Sequence, residues 1–548
     1  MKSSLRLIII LSVTALLPVR TFSQNQIEKQ VRVVKPYTPT LSDAEKINLL
    51  PKISDSARVR PDFQYSITPK RYDTHFRVNP IRPARMLGLP LERLYKSQFT
   101  LGLGNYFTPF AELTVNQLRS RKSSMGLYLK HQSSAGKVKL ENDQKVPSNY
   151  SDNIGELYWK HMFYRSVLEG GVSGGYNSVL YYGYNPELDT TLNKKDIRQK
   201  IYSAGARLAY YSSNPDSLHL NYHLGLNYQL TRDGYSNAEN AFKTHAGFET
   251  FIGDWYSGLD MGVSYYGKSE GIDSSNNLVV RVDPYVTKAG ADWRFLLGLN
   301  TTTDIRDKGS IHIYPRANFQ FNIVKDVLIP YMGVDGHREI NSYRKILFEN
   351  PFIKPGLSVK NSDYGMNGYF GLKGQYSSKM AFDFRISYTQ VNDMYFFILD
   401  TTDILHNQFT VTYDNASILT TSGEITWNKN EKLQFMLKGH YYHYALDSLA
   451  YPWHKPAFDA SLAASYNLRD KILVDANLFL TGKRYVPGSD GAVELKPFPD
   501  ANLEVEYRYT KLLSFFLRLN NFTAAKYQVW HQYPSQRFQA MVGFTYAL

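Results

Sequence analysis

Along Ser217–Leu230 apolar and polar residues trade places at every step. Leu218, Leu220, Tyr222, Leu224, Leu226, Tyr228 and Leu230 fall on one side, and His219, Asn221, His223, Gly225, Asn227 and Gln229 on the other. Side chains of a strand alternate with a period of two, so the run predicts a strand with one face in an apolar medium and one in a polar medium. It is longer than the usual strand of about 5–6 residues. The pattern recurs. Leu113 and Val115 alternate with Glu112, Thr114 and Asn116, and Phe382, Phe384, Ile386 and Tyr388 alternate with Asp383, Arg385 and Ser387. Leu503, Val505, Tyr507 and Tyr509 alternate with Glu504, Glu506 and Arg508, and Leu513, Phe515, Leu517 and Leu519 with Ser514, Arg518 and Asn520. A soluble β-protein would also show half-buried strands. Strand length, glycine- and tyrosine-rich faces and the lack of helical stretches favour an all-β transmembrane antiparallel barrel.

The connections carry a second, independent signal. Short turns fall near 120, 164, 212, 253, 289, 324, 377, 428, 468 and 510. Between them lie mostly longer, polar connections: 132–152, 179–197, 231–238, 268–277, 302–309, 337–363, 390–415, 445–455, 482–497 and 520–536. Bacterial barrels have short periplasmic turns and longer outer loops. The alternation predicts about 22 strands over residues 97–548. The first connection, around Tyr106–Phe110, is short where a long one is expected, which leaves the first two strands the least secure. The last stretch places Phe538, Ala540, Val542, Phe544, Tyr546 and Leu548 on one face, the amphipathic ending that barrel-assembly machinery reads.

The first 23 residues have a signal-peptide pattern: Lys2 and Arg6, then the apolar run Leu7–Leu17, then Ser23 as cleavage site and Gln24 as mature start. The apolar run is too short for a membrane helix, which needs about 20 residues. The whole sequence has no cysteine, which excludes disulfides, thiolate metal sites and a cysteine nucleophile. Its 63 Lys+Arg against 49 Asp+Glu would suggest nucleic acid in a cytosolic chain. In an exported chain lipid phosphates or a charged solute fit better, so no nucleic-acid partner is expected. The 43 tyrosines against 6 tryptophans suit strands and membrane boundaries.

Motifs that look chemical do not hold up. Gly262–Ser269 matches the phosphate-loop pattern, but Val263 and Tyr265 continue a strand and no helix follows. His440 and His443 lie on opposite faces of a strand. His219 and His223 share a face but sit roughly 13 Å apart, too far to share a metal. No Gly-x-Ser-x-Gly elbow occurs. A barrel hydrolase with a membrane-facing Ser and His stays a minor alternative, and no enzyme, cofactor or metal is expected.

The C-terminal segments LFLTGKRYVPG, FFLRLNNFTAAKYQVW and YPSQRFQAMVGFTYAL resemble the end of TonB-dependent outer-membrane receptors. The signal-peptide end and the tyrosine content look like those of Bacteroidota proteins. The resemblance implies a 22-stranded barrel in the outer membrane, contacting lipid and lipopolysaccharide, that binds or imports a solute. Its departure is at the front. Residues 24–96 are too few for the plug that the family folds inside its barrel. They carry Pro36, Pro39, Pro51, Pro61, Pro69, Pro80, Pro83 and Pro90, which break ladders and helices. They are expected to form an irregular periplasmic arm or reduced plug, with residues from about 55 onward across the periplasmic mouth. Ser42 with Glu45 would open a short helix ahead of Pro51. Val31, Arg32, Val33 and Val34 form a β-prone run that reads first as linker; the resemblance implies a docking strand for a TonB-like partner there. The alternative function is a plugless structural or assembly-related barrel that docks a periplasmic partner through the arm.

Overall fold

The computed structural model describes residues 95–548, apart from 118–119, 121, 185–196, 214–218, 270, 273–275, 306–308, 403 and 489–490. The signal peptide 1–23, the arm 24–96 except Tyr95 and Lys96, the run Val31–Val34, the helix at Ser42 and the position of Leu218 all lie outside the described residues.

The described chain is a closed antiparallel barrel of 22 strands. Each strand pairs with its sequence neighbours, and the ring closes between the first strand, Ser97–Gly104, and the last, Gln539–Ala547. The register runs from Gln98↔Ala547 to Gly104↔Met541. Leu548 N–H donates to Ser97 O at 2.8 Å, and Ser97 N–H donates back to Leu548 O at 3.1 Å. Closure leaves no unpaired edge, the condition for backbone in a bilayer. Among the described residues no helix is long and apolar enough to cross a membrane.

Burial separates this barrel from a soluble β-protein. Leu224, Leu226 and Tyr228 are 38%, 46% and 41% exposed, and Leu297, Leu299, Phe370, Phe384, Ile386, Phe515 and Val542 are exposed in the same way. The face that a sandwich would bury points outward all around the wall, as a lipid-facing belt requires. The opposite face lines the lumen.

The first two strands, Ser97–Gly104 and Thr108–Asn116, are both present, joined by a three-residue turn. The strand expected at Ser217–Leu230 is Asn221–Asp233. Three expectations about the connections need correction. Met380–Leu399 and Phe409–Asn430 continue far past the membrane, so the connection expected at 390–415 is only 400–408. Both faces of this ribbon pack near its tip, with Phe396, Phe397 and Phe409 fully buried. The sequence there becomes a continuous apolar run instead of alternating. A helix of seven residues, α1 (Tyr343–Glu349), occupies the connection 340–361. It is too short to show a 3.6-residue period. Finally, the outer connections are not uniformly polar and wet. One holds the hairpin Lys137–Lys139/Lys145–Pro147 around buried Val138, Leu140 and Val146, and another the hairpin Arg484–Gly488/Gly491–Leu495.

Candidate functional site

The site begins with α1. Ser342 has extended backbone, and its Oγ accepts from Lys345 N–H at 3.1 Å, which caps the helix. Asn350 ends it, and Pro351 cannot continue it. Tyr343, Ile346 and Leu347, at helical i, i+3, i+4 spacing, are completely buried. They pack with Ile353, Leu357 and Val359 of the same connection against Ile201, Ile272, Phe397, Phe409 and Tyr533. These partners come from segments distributed around the rim. The outer mouth of the barrel therefore holds a packed apolar core assembled from its own connections.

Polar groups bind this core to the wall. The Tyr343 hydroxyl donates to Asp233 Oδ2 at 2.8 Å. The N–H groups of Tyr343 and Arg344 donate to the two oxygens of Glu239 at 2.8 and 3.1 Å, and the Arg344 guanidinium donates to Thr231 Oγ1 at 3.0 Å. Asp233 and Glu239 are buried carboxylates at the outer ends of two paired strands. Burying them is tolerable because each accepts several hydrogen bonds. On the other side of α1, Asn361 Nδ2 donates to Asp304 at 2.8 Å, and Asn341 Nδ2 to Lys360 O and to Ser362 Oγ at 2.8 and 2.9 Å.

The remaining connections interlock with it. The Tyr181 hydroxyl donates to Ile353 O and Asn407 Nδ2 to Tyr181 O, both at 2.8 Å. Tyr533 stacks on Phe352 with centroids 3.8 Å apart, and its hydroxyl donates to Asn407 O. Arg484 donates to Val529 O and Gln528 O at 2.6 and 2.5 Å, which ties the second hairpin to the last connection. His454 lies between the rings of Phe409 and Trp530, with Nδ1 2.9 Å from Phe397 O. A carbonyl only accepts, so Nδ1 carries the proton. Burial holds this imidazole neutral and pushes its pKa down to about 3.

Beneath the mouth the lumen is polar. Its aromatic side chains lie flat against the wall where the neighbouring strand offers glycine. A Cβ on Gly333 would fall 2.4 Å from the Tyr369 hydroxyl oxygen, and one on Gly371 2.2 Å from Tyr331 Cζ. Part of the wall pairs its charges directly, as in Arg207–Glu156 at 2.5 Å, Lys438–Glu424 at 3.0 Å and Arg518–Glu504 at 2.9 Å.

The sequence-predicted histidines are not brought together. His440 Nδ1 lies 2.8 Å from Asp459, His443 points to the outside, and His223 faces His245 with ring centroids 5.6 Å apart. Gly262–Lys268 runs inside the strand Trp255–Lys268. No group of three or more His, Asp or Glu suited to a metal occurs among the described residues. Sequence reasoning missed Tyr343, Asp233 and Glu239. The signal was present in Ile346–Ile353 (ILFENPFI), which is too apolar for a solvated loop.

No protein-family model matches the chain, and no curated protein matches it by sequence. Solved structures do match. The siderophore receptor PirA from Acinetobacter baumannii has a TM-score of 0.63 at 11% identity, over 84% of this chain and 81% of that one. The ferric-catecholate import receptor Fiu from E. coli K12 has a TM-score of 0.62 at 10% identity, over 83% and 82%. The copper transporter OprC has a TM-score of 0.61 at 12% identity, over 83% and 84%. Together with the apolar belt, this likeness establishes the fold as a 22-stranded β-barrel of the outer membrane.

Proposed function

We propose that this chain is a TonB-dependent-receptor-like barrel of the outer membrane that binds a solute and passes it inward, gated at its outer mouth by its own connections. The observation that carries the reading is connection 340–361, folded across the mouth of a wide, polar-lined barrel and fastened to Asp233 and Glu239. A barrel of this width conducts unless something fills it. Here the filling is a set of loops, which can move as a unit when its anchors let go. The receptors and the transporter of like fold support import as the class of work. The expected division is a signal peptide over 1–23, an arm over 24–96 and a barrel over 97–548. Val31–Val34 would pair with a TonB-like protein by strand addition. Lipid and lipopolysaccharide would surround the belt, and assembly machinery would read the strand Gln539–Ala547.

A second reading has one observation in its favour. The mouth is packed like a protein interior, with Tyr343, Ile346, Leu347 and Ile353 at 0% exposure. Such closure suits a barrel that nothing crosses and whose arm docks a periplasmic partner. Planar-bilayer recordings separate the two. Replacing 340–361 by a short turn, with heat-modifiable folding retained, should open a channel that the unaltered protein lacks. A silent barrel after that replacement overturns gating and leaves the docking reading, for which deletion of 24–54 should abolish capture of a periplasmic protein.

A further inference from the structure

The inward-facing side chains of five adjacent strands, Trp293–Asp304, Ser310–Phe321, Ile329–Glu339, Ser362–Ser377 and Met380–Leu399, enclose a hollow of about 650 Å³. Arg294, Arg316 and Arg385 line it, together with the amides of Asn300, Asn318 and Gln320. None of the three arginines has a carboxylate within ion-pair distance among the described residues, in contrast to Arg207, Lys438 and Arg518 elsewhere in the lumen.

The tyrosines explain how the arginines come to be spare. The Tyr331 hydroxyl donates to Asp383 at 2.6 Å, the Tyr285 hydroxyl to Glu249 at 2.5 Å, and the Tyr314 hydroxyl to Asp363 at 2.6 Å. Asp363 and Asp383 on this wall, and Glu249 beside it, are thus held by phenols, while Asp304 and Glu339 pair with Arg338 and Lys345 toward the mouth. The cations rest on the flat faces of wall-lying rings instead: Arg385 3.9 Å from the Tyr369 centroid, Arg316 5.0 Å from that of Tyr285, and Lys373 5.2 Å from that of Tyr331. A ring fixes where a guanidinium sits but uses none of its N–H groups. Arg385 Nε is buried with no hydrogen-bond partner. Asp335, the one carboxylate of the lining, accepts from Asn367 Nδ2 at 2.9 Å.

We propose that this hollow is a binding site for a solute carrying two or more anionic oxygen groups, carboxylate or phosphate. Arg316 and Arg385 are its clamps. Gln320 Nε2 and the second N–H of Asn300 supply neutral hydrogen bonds, the amide of Asn318 being engaged by Tyr369 and Met332 and the Gln320 oxygen by Lys373. Guanidinium forks match both oxyanion geometries, and the volume lies within the range of small-molecule sites. The proposal deepens the receptor reading, but its test does not depend on passage through the barrel.

Calorimetric titration of the full chain in detergent, with tricarballylate and separately with inorganic pyrophosphate, measures it. One saturable site for at least one of the two probes is expected. Affinity should fall at least about tenfold in R385Q and further in R316Q/R385Q. K160Q, which removes a lumen cation elsewhere, should leave it unchanged. Each variant is first checked for heat-modifiable migration, and R385Q alone suffices if the double variant does not fold. Saturation by one probe alone would support the site and name its chemistry. Absence of binding to both, equal affinity in R385Q, or an equal loss in K160Q would overturn it. Failure of the mouth to open in bilayers would leave this result untouched.

Discussion

His454 shows how one buried side chain couples the mouth to pH. Its Nδ1 is held by Phe397 O, and its ring is enclosed by Phe409 and Trp530. Arg484, His531 and Lys455 lie around it, and each disfavours a second positive charge. Its pKa falls from 6.5 to about 3. Between those values the unfolded connection binds a proton that the packed one does not. Stability is therefore complete above the unfolded value and is lost as pH falls through this window. Protection factors of α1, exchange rates corrected for the intrinsic pH dependence, should fall from pH 7 to pH 5, and His454→Gln should flatten that fall. An unchanged slope in the variant would remove His454 from the coupling.

At the scale of the element, α1 is stable only in place. Seven residues are far below the length at which an isolated helix persists in water. Its order comes from Ser342, Glu239 and the apolar face Tyr343/Ile346/Leu347. Leu347→Ala leaves a cavity in that face and should cost about 2–5 kcal/mol of local stability. Exchange protection should fall in 340–361 while protection of the barrel strands is kept. Uniform loss across the barrel would mean that the mouth and the wall unfold as one unit. The connection's apolar residues were visible in the sequence, but which surface they would meet was not. Ile201 and Tyr533 are far from α1 in the chain and reach it only because the barrel curves them round.

At the scale of the whole molecule the wall has two solvents. Leu224 and Asn227 lie in one strand, the first facing outward and the second toward the lumen. Leu224→Arg puts a cation against lipid, at a cost of roughly 2–4 kcal/mol at mid-membrane. It should lower the yield of heat-modifiable barrel, whereas Asn227→Arg should assemble normally. Equal yields from the two variants would contradict the face assignment.

The sequence by itself determined the wall. A period of two, an apolar last strand and alternating short and long connections each depend on nearest neighbours in the chain, and together they place about 22 strands, their faces and most of their turns, though not the shortening of the connection expected at 390–415 to 400–408. Local pattern is enough there because every strand pairs with the next and the medium on each side is uniform. The tertiary structure alone decided what fills the mouth and where the lumen keeps spare charge. Tyr343 with Asp233 and Tyr533 with Asn407 are contacts between distant parts of the chain, whereas Arg385 meets Tyr369 across one hairpin, whose register sets which ring lies beneath it. The alternating pattern shows that Arg385 faces the lumen, but its pairing depends on which side chain lies within reach, and strand register sets that.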